Sequence, residues 1–399
     1  MAQTSSNNGG TDQVLVEETG NVRTFILNRP KHLNALSFQM ISRLKQLFYA
    51  CEEDSNVKMI ILKFVTSSGS MLQSSINAPG HGKAFCAGGD VTAVYHSVRQ
   101  GKLEVAVNYI QEQYTLNYVI ATYSKPQVSI LNGIVMGGGA GASIHGRFRV
   151  ATEKSVFAMP ETAMGIFPDV GASYFLSRLP GFFGEYAGLT GSRLDGAEML
   201  ACGLATHFVS SEKLPLLEQA LVKVNTSDPD AISAIISRFS HIPNLKEESP
   251  YHKMKIINRC FSRRTIEEVI SALESEALDK KDDWISSTIQ SLKKASPTSL
   301  KISLRLIREG RRQGVGSCLV LEYRMACHVL KGEFSKDILE GCRAMLIDKN
   351  RNPKWEPSRL ELISEEDVDR YFFKIDDEDW EDLKLPPRSN LPPYAIAKL

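Results

Sequence analysis

The order of extended and helical segments constrains the fold of this chain more than any other feature. Residues 21–30 (NVRTFILNRP) alternate and favour a strand, and residues 57–64 (VKMIILKF) and 127–136 (QVSILNGIVM) are apolar runs typical of buried strands. Ser37 is a candidate N-cap for an intervening helix. One face of that helix carries Met40, Ile41, Leu44, Leu47 and Phe48. Further extended segments in residues 147–159 (RFRVATEKSVFAM) complete a pattern that predicts a layered α/β domain up to about residue 220.

The second half of the chain has a different pattern. Residues 263–295 and 299–330 carry long helical periodicities, and no internal repeat is visible. A length of 399 residues exceeds the usual size of a single domain. We therefore expect a flexible tail over 1–12, a core over 13–220 and a mainly helical region over 221–396. The serine-rich stretch 64–79 (FVTSSGSMLQSSINAP) predicts a loop inserted into the core.

The composition excludes several classes of protein. Lysine and arginine total 47 against 46 aspartates and glutamates, a balance that gives no basic patch for nucleic acid or an anionic membrane. No run approaches 18 apolar residues, so we expect no membrane-spanning helix. The seven cysteines are scattered and form no CxxC pair. This pattern favours reduced thiols of an intracellular protein over a disulfide framework or a zinc site.

Two glycine-rich segments predict a site for a polarised oxygen. They are residues 81–91 (HGKAFCAGGDV) and 132–143 (NGIVMGGGAGAS). Glycine leaves its N–H unobstructed, and N–H groups at a helix start carry the positive end of the helix dipole. Two such groups from separate segments can form an oxyanion hole. The second segment also fits a loose GxGxxA dinucleotide motif, but the preceding strands do not fit a Rossmann start. Cys86 could be a thiol nucleophile, although a small buried residue is the simpler interpretation.

Two carboxylates follow in an apolar stretch, residues 159–175 (MPETAMGIFPDVGASYF). Glu161 and Asp169 stand eight residues apart, each beside a proline. Glu161 alone could stabilise a helix N-terminus, and Asp169 alone could belong to a type I turn. The alternative is a pair of catalytic acids. The chain contains neither GxSxG nor HExxH, so serine-hydrolase and zinc-protease interpretations lack support.

The order of several motifs resembles a known superfamily. RPKHLNALS, GKAFCAGGD, NGIVMGGGAG and MPETAMGIFPDVGASYFLSRLPG, in that order, resemble the crotonase (enoyl-CoA hydratase/isomerase) superfamily. The later segments GLATHFV, SPTSLKISL, EYRMACHVL and LIDKNRNPKWEP are similar to its 3-hydroxyisobutyryl-CoA hydrolase branch, particularly to plant peroxisomal members. The resemblance covers most of residues 13–399.

This resemblance implies a crotonase-like ββα spiral core, a helical C-terminal region and an acyl-CoA substrate. No separate cofactor or metal is implied, since CoA is part of the substrate. Gly89 and Gly138 match the two oxyanion donors, and Glu161 and Asp169 match the two catalytic acids. Glu161 would attack the carbonyl carbon or activate water, while Asp169 would orient a hydroxyl or water or protonate the departing thiol. The implied reaction is hydrolysis of 3-hydroxyisobutyryl-CoA, with 3-hydroxypropionyl-CoA as a second candidate substrate, in valine and branched-chain catabolism.

The chain departs from the superfamily pattern at two positions. Hydratases carry an acid just after the glycine triplet, where this chain has Gly139-Ala140-Gly141, so hydration is disfavoured and isomerisation remains an alternative. The hydrolase branch commonly has an acid before Tyr114, where this chain has Gln113, with Glu112 one place earlier. A non-catalytic acyl-CoA-binding protein is a further alternative, if the 64–79 loop displaces Gly89.

The two ends of the chain predict its location. The start is polar and resembles neither a signal peptide nor a mitochondrial presequence. The chain closes on Ala397-Lys398-Leu399, one residue away from the Ser-Lys-Leu peroxisomal signal. We therefore expect import by the peroxisomal receptor, with the mitochondrion and the cytosol as alternatives. The oligomeric state is left open.

Overall fold

The computed structural model describes residues 12–65, 82–279, 282–377 and 380–388. The predicted tail over 1–12 lies outside these residues except for Asp12, and so does the terminal tripeptide. The predicted loop over 64–79 also lies outside them, apart from its first two residues. Phe64 is the last residue of a strand, so the boundary of that loop was placed too early. The other domain boundaries, at residues 220 and 396, stay predictions.

The described strands form two sheets. The ten strands are β1 (Val14–Thr19), β2 (Val22–Leu27), β3 (Met59–Phe64), β4 (Ala84–Cys86), β5 (Gln127–Leu131), β6 (Ile134–Met136), β7 (Phe148–Ala151), β8 (Val156–Ala158), β9 (Leu194–Asp195) and β10 (His207–Phe208). The larger sheet has the order β1-β2-β3-β5-β7-β10 and the smaller sheet has the order β4-β6-β8-β9. β1 and β9 pair antiparallel with their neighbours, and the remaining pairs are parallel.

From β3 to β8, successive strands alternate between the two sheets. β3, β5 and β7 lie side by side in the larger sheet, and β4, β6 and β8 lie in the same order in the smaller one. Each turn of the chain therefore adds one strand to each sheet. This is the spiral that the resemblance to the crotonase superfamily predicts.

Helices surround the sheets and make up the second half of the molecule. In chain order they are α1 (Phe38–Glu53), α2 (Val91–Arg99), α3 (Leu103–Ala121), α4 (Gly138–Gly141), α5 (Ala172–Leu176), α6 (Phe183–Thr190), α7 (Gly196–Ala201), α8 (Leu214–Leu221), α9 (Pro229–Ser237), α10 (Met254–Phe261), α11 (Ile266–Asp279), α12 (Asp283–Lys294), α13 (Pro297–Gly310), α14 (Val315–Lys331), α15 (Asp337–Cys342) and α16 (Glu365–Phe372). A π-helix over Arg343–Ile347 and five short 3-10 helices, including Glu161–Met164, complete the described elements. After β10 every regular element in the described residues is helical.

The apolar run of β3 is explained by burial on both of its faces. Ile60 and Leu62 point into the main core, whereas Met59 and Ile61 point into a second core on the other face. Helices α8 and α9 cover that second face. A strand covered on both sides reads as a continuous apolar run, so its sequence does not alternate.

The first helix forms as its sequence predicts. The Ser37 hydroxyl accepts a hydrogen bond from the Met40 amide at 3.1 Å and caps α1. Four of the five predicted apolar side chains are buried, and Leu47 is partly buried against the core.

The interpretation of residues 127–136 as one strand is wrong. The chain breaks at Asn132 and Gly133, and the two halves, β5 and β6, belong to different sheets. Gly133 has φ +125°, and a Cβ there would lie 2.8 Å from the carbonyl oxygen of Lys83. Only glycine fits this crossover, which apolar periodicity alone does not reveal.

None of the helices in the described part of the chain is both long and apolar enough to cross a membrane. All seven cysteines are buried and unbridged.

Candidate active site

Three predicted site residues follow three neighbouring strands. β4, β6 and β8 run parallel, so their carboxyl ends lie at one edge of the smaller sheet. Gly89 stands three residues after β4, Gly138 two residues after β6, and Glu161 three residues after β8. Asp169 follows eight residues later, before α5. Each turn of the spiral thus delivers one segment to the same edge.

A cavity of about 520 Å³ opens at this edge. Gly89, Gly138, Glu161 and Asp169 all line it, so the structure brings the four predicted site residues together. The helical half of the chain also lines the cavity. It contributes Leu330, Ile338, Cys342, Met345, Leu346 and Lys349.

The two glycines lie against each other with their N–H groups unoccupied. A Cβ added to Gly138 would lie 2.8 Å from the backbone nitrogen of Gly89. Gly138 is the first residue of α4, so its N–H has no acceptor within that helix. Within the described residues, neither N–H donates to a protein oxygen. Gly89 and Gly138 therefore supply the two free N–H donors that an oxyanion hole requires.

A buried tyrosine holds the Gly89 segment in place. The Tyr109 hydroxyl donates to the carbonyl oxygen of Leu36 at 2.8 Å and accepts from the Asp90 amide at 2.9 Å. The Asp90 carboxylate pairs with Arg29 at 2.8 Å. These contacts anchor Asp90, the residue that follows Gly89, and leave the N–H of Gly89 free.

Glu161 is a buried acid, and one oxygen of its carboxylate lacks a hydrogen-bond partner among the described residues. It opens the 3-10 helix Glu161–Met164, is 8% exposed, and its Oε2 atom has no partner among the described residues. A Cβ added to Gly137 would lie 2.9 Å from its Oε1 atom. Burial raises the pKa of Glu161 well above the usual glutamate range, and the charge of Asp169 raises it further. The unpartnered Oε2 atom, which caps no N–H, favours a reactive group over a purely capping role.

Asp169 is held by a tyrosine. The Tyr114 hydroxyl donates to Asp169 Oδ2 at 2.7 Å. Burial raises the pKa of Asp169 to about 6, although the bond from Tyr114 opposes the shift. An acid with this pKa can carry or release a proton close to neutral pH.

The turn after Asp169 is strained. Val170 has φ +58°, a conformation that costs a β-branched residue about 1–3 kcal/mol. The carbonyl oxygen of Val170 accepts a hydrogen bond from His145 Nε2 at 2.8 Å. Burial lowers the pKa of His145 to about 4, so the ring is neutral near pH 7 and its proton sits on Nε2. On the other side of the turn, the buried Glu322 accepts from the Gly171 amide, and burial raises the pKa of Glu322 to about 8.

The structure separates Gln113 from Glu112. Glu112 pairs with Lys45 at 2.6 Å and is not among the residues that line the cavity. Gln113 is 3% exposed and lines the cavity, with its amide against both Gly89 and Gly138. The polar side chain at this point of the pocket is therefore a neutral amide.

Cys86 and the rest of the described residues offer no nucleophilic thiol or metal cluster. The Cys86 thiol is buried, donates to the carbonyl oxygen of Gly88 at 3.3 Å, and has a pKa raised to about 12 by burial. Histidines, cysteines and acids within the described ranges form no group of three suited to a metal ion. Four residues of basic type line the cavity, and we call them the basic rim. They are Arg29, Lys31, His32 and Lys349.

Sequence reasoning missed the residues that support Asp169 and Gly89. Glu322 stands in the quoted motif EYRMACHVL, and Tyr114 was named only as the neighbour of Gln113, but neither received a role. Glu322 did carry a signal, because it falls on the same helical face as Leu319 and Met325, where an acid is out of place. Tyr109 gave none, since tyrosine is ordinary on a half-buried helix.

Comparison with known proteins identifies the family. The enoyl-CoA hydratase/isomerase family model matches residues 22–372, and the chain belongs to that family. A crystal structure of a carnitinyl-CoA dehydratase from Mycobacterium thermoresistibile aligns with a TM-score of 0.81 at 33% identity, covering 95% of this chain and 100% of that one. The predicted crotonase-type α/β fold is thereby confirmed.

Curated relatives are more similar still. The chain is 64% identical to 3-hydroxyisobutyryl-CoA hydrolase 1 of Arabidopsis thaliana, over 97% of this chain and 98% of the relative. It is 63% identical to probable 3-hydroxyisobutyryl-CoA hydrolase 3 of the same plant, over 96% and 98%. These relatives confirm the resemblance to the hydrolase branch. The peroxisomal part of that resemblance and the roles of the site residues stay predictions.

Proposed function

We propose that this protein hydrolyses 3-hydroxyisobutyryl-CoA to the free hydroxy acid and CoA, with 3-hydroxypropionyl-CoA as a second candidate substrate. The observation that carries the proposal is that the unpartnered Oε2 atom of Glu161 shares one cavity with the free N–H groups of Gly89 and Gly138. The similarity to two relatives named as 3-hydroxyisobutyryl-CoA hydrolases supports the choice of substrate.

The first step is polarisation of the thioester. The N–H groups of Gly89 and Gly138 donate to the carbonyl oxygen and stabilise the charge that develops on it. Glu161, in its ionised form, either takes a proton from an attacking water or attacks the carbonyl carbon itself. Direct attack gives a mixed anhydride, which a water hydrolyses after CoA has left, so that the hydroxy acid is released and the carboxylate is restored. Because burial raises the pKa of Glu161, its carboxylate is a stronger base than an exposed one.

The second step is departure of the thiol. CoA leaves as a thiolate or thiol whose pKa is about 8.5, so little acid assistance is required. Asp169 lies within the same cavity and is oriented by Tyr114. It orients the substrate hydroxyl or the water, or passes a proton to the leaving sulfur.

The basic rim suits the CoA part of the substrate. Lys31 and Lys349 line the cavity and supply positive charge for phosphate groups. Lys349 comes from the helical half, so both halves of the chain contribute to this rim. No other cofactor is required by the proposed reaction.

The competing reactions are isomerisation and hydration of an enoyl-CoA. All three reactions use the glycine donors, but hydration also needs an acid after the glycine triplet, where Gly139–Gly141 carry none. The test supplies one enzyme preparation with 3-hydroxyisobutyryl-CoA and with crotonyl-CoA. A thiol reagent follows CoA release, and enoyl absorbance follows hydration.

We expect rapid CoA release from 3-hydroxyisobutyryl-CoA and little loss of enoyl absorbance from crotonyl-CoA. Rapid loss of enoyl absorbance without free CoA contradicts hydrolysis. Binding of both substrates without either reaction points to the acyl-CoA-binding alternative. That alternative requires a displaced Gly89, whereas Gly89 lies directly against Gly138.

We further propose that the reaction belongs to valine and branched-chain catabolism and takes place in the peroxisome. The terminal Ala397-Lys398-Leu399 is the support for this location, through the import receptor that reads such tripeptides. The mitochondrion and the cytosol are the alternatives.

A further inference from the structure

One peptide group in the active site is held at both of its ends by buried side chains. This is the peptide between Val170 and Gly171, directly after the acid Asp169. Its carbonyl oxygen accepts from His145 Nε2 at 2.8 Å, and its N–H donates to Glu322 Oε2 at 2.6 Å. His145 follows α4 in the core, whereas Glu322 belongs to α14 in the helical half.

Glu322 concentrates its hydrogen bonds on this turn. It is 0% exposed, and its second oxygen accepts from the Ser173 amide at 2.9 Å and from the Ser173 hydroxyl at 2.5 Å. All three donors lie within two residues of one another and 149–151 positions away in the sequence. A buried carboxylate in such surroundings is costly unless its lone pairs are satisfied. Here they are satisfied by the segment that carries Asp169.

These hydrogen bonds hold a turn whose backbone is strained. Val170 lies in the left-handed region, which a β-branched residue leaves unless its surroundings prevent it. A Cβ added to Gly171 would lie 2.3 Å from His145 Nε2, so the turn is also closely packed. Relaxation of Val170 would rotate the neighbouring peptide and move Asp169 away from the Tyr114 hydroxyl, which it now meets at 2.7 Å.

We propose that Glu322 is a positioning residue for Asp169. By holding the Gly171 and Ser173 amides it keeps the strained turn in one conformation, and so keeps the second acid oriented in the cavity. The inference rests on the proposed hydrolase function, which it deepens. The alternative is that Glu322 only joins α14 to α5 and contributes stability alone.

The main test is Glu322→Gln in the full-length protein. The glutamine oxygen can accept from one amide, but its NH₂ group then faces the other amide, donor against donor. We expect kcat for CoA release to fall about 10²-fold while KM changes less than about twofold, as for a displaced catalytic group. Rates are taken per folded enzyme, with folding followed by thermal denaturation.

Glu185→Gln is the matched control. Glu185 is also 0% exposed and also joins two helices, through an ion pair with Arg311 at 2.7 Å, but it lies outside the cavity. We expect this variant to lose stability and to keep its kcat. A kcat for Glu322→Gln as high as that of Glu185→Gln, at equal folded fraction, overturns the proposal.

Two further variants keep the proposal testable if Glu322→Gln does not fold. Glu322→Asp retains the carboxyl group but withdraws it by one methylene, and we expect its kcat to fall as well. Ser173→Ala removes only the hydroxyl and retains both amide bonds, and we expect a kcat close to that of the wild type. Equal kcat losses in these two variants contradict a role through the backbone of the turn.

Amide hydrogen exchange separates this inference from the proposed function. We expect the Gly171 and Ser173 amides to exchange faster in Glu322→Asp than in the wild type, and to be unaffected in Glu185→Gln. Unchanged exchange overturns the positioning role even if the protein is a hydrolase. A wild type that releases no CoA overturns the proposed function, whereas the exchange rates still decide whether Glu322 holds the turn.

Discussion

The hydroxyl of Tyr114 donates to Asp169 at 2.7 Å and thereby ties α3 to the turn that carries the second acid. Burial and the charge of Asp169 raise the pKa of Tyr114 well above its usual value, so the hydroxyl keeps its proton. The bond favours the ionised form of Asp169, whose pKa burial raises to about 6.

Removal of this bond should shift the pH dependence of the enzyme. In Tyr114→Phe the pKa of Asp169 rises above about 6, because the ionised form loses a donor worth about one pH unit. We expect the acidic limb of the kcat/KM profile to move to higher pH by about that amount. Tyr118→Phe, one turn further along α3 and outside the cavity lining, should leave the limb unchanged. An unmoved limb in Tyr114→Phe means that Asp169 does not titrate in the rate.

The charge of Glu161 should be essential. Glu161→Gln keeps the size of the side chain but removes the base or nucleophile, and we expect CoA release to fall about 10²-fold or more. The control is Glu212→Gln, which changes an exposed acid in the first turn of the 3-10 helix Ser211–Lys213. Near-normal turnover in Glu161→Gln returns this residue to helix capping.

A methyl group at Gly138 should close the oxyanion site. In Gly138→Ala the new Cβ would lie 2.8 Å from the Gly89 nitrogen and 2.4 Å from Gln113 Nε2, so the donors must move apart. We expect kcat to fall about 10²–10³-fold, the usual cost of one lost oxyanion donor. Gly314→Ala, where φ is −73° and a Cβ meets nothing within 4 Å, serves as the control. Equal rates in both variants exclude Gly138 from the reaction.

The terminal tripeptide should direct the protein to the peroxisome. A fluorescent fusion that retains the natural C-terminus is compared with one that lacks Lys398 and Leu399. We expect peroxisomal fluorescence only for the intact chain, with the shortened chain left in the cytosol. If the two fusions show the same distribution, the tripeptide is not the signal.

The sequence predicts local elements and, through the resemblance, the four residues at the cavity. Ser37 caps α1 as its pattern indicates, and Gly89, Gly138, Glu161 and Asp169 line one cavity. Residues 127–136 show a limit of prediction from apolar periodicity. An apolar run indicates that its residues are buried but not to which sheet they belong, so the crossover at Gly133 was missed.

The contacts of Glu322 and Tyr114 that hold the Asp169 turn could not be predicted from the sequence, for a different reason. Glu322 contacts Gly171 across 151 positions, and no local pattern pairs a helix in the second half with a turn in the first. Tyr114 meets Asp169 across 55 positions. Such pairs are set by the packing of α14 and α3 around the cavity, which is a property of the assembled chain.

The stacking of the spiral has a consequence for how such chains diversify. Neighbouring strands lie about 4.8 Å apart, so the segments after β4, β6 and β8 present three adjacent positions along a substrate. The proposed oxyanion donors, Gly89 and Gly138, belong to the first two turns, and the proposed catalytic acids, Glu161 and Asp169, belong to the third and to the loop beyond it. Substitutions during evolution could therefore place an acid on a different turn of the spiral, where it would face a different carbon of the substrate. The two backbone N–H donors to the carbonyl oxygen would be retained in each such protein.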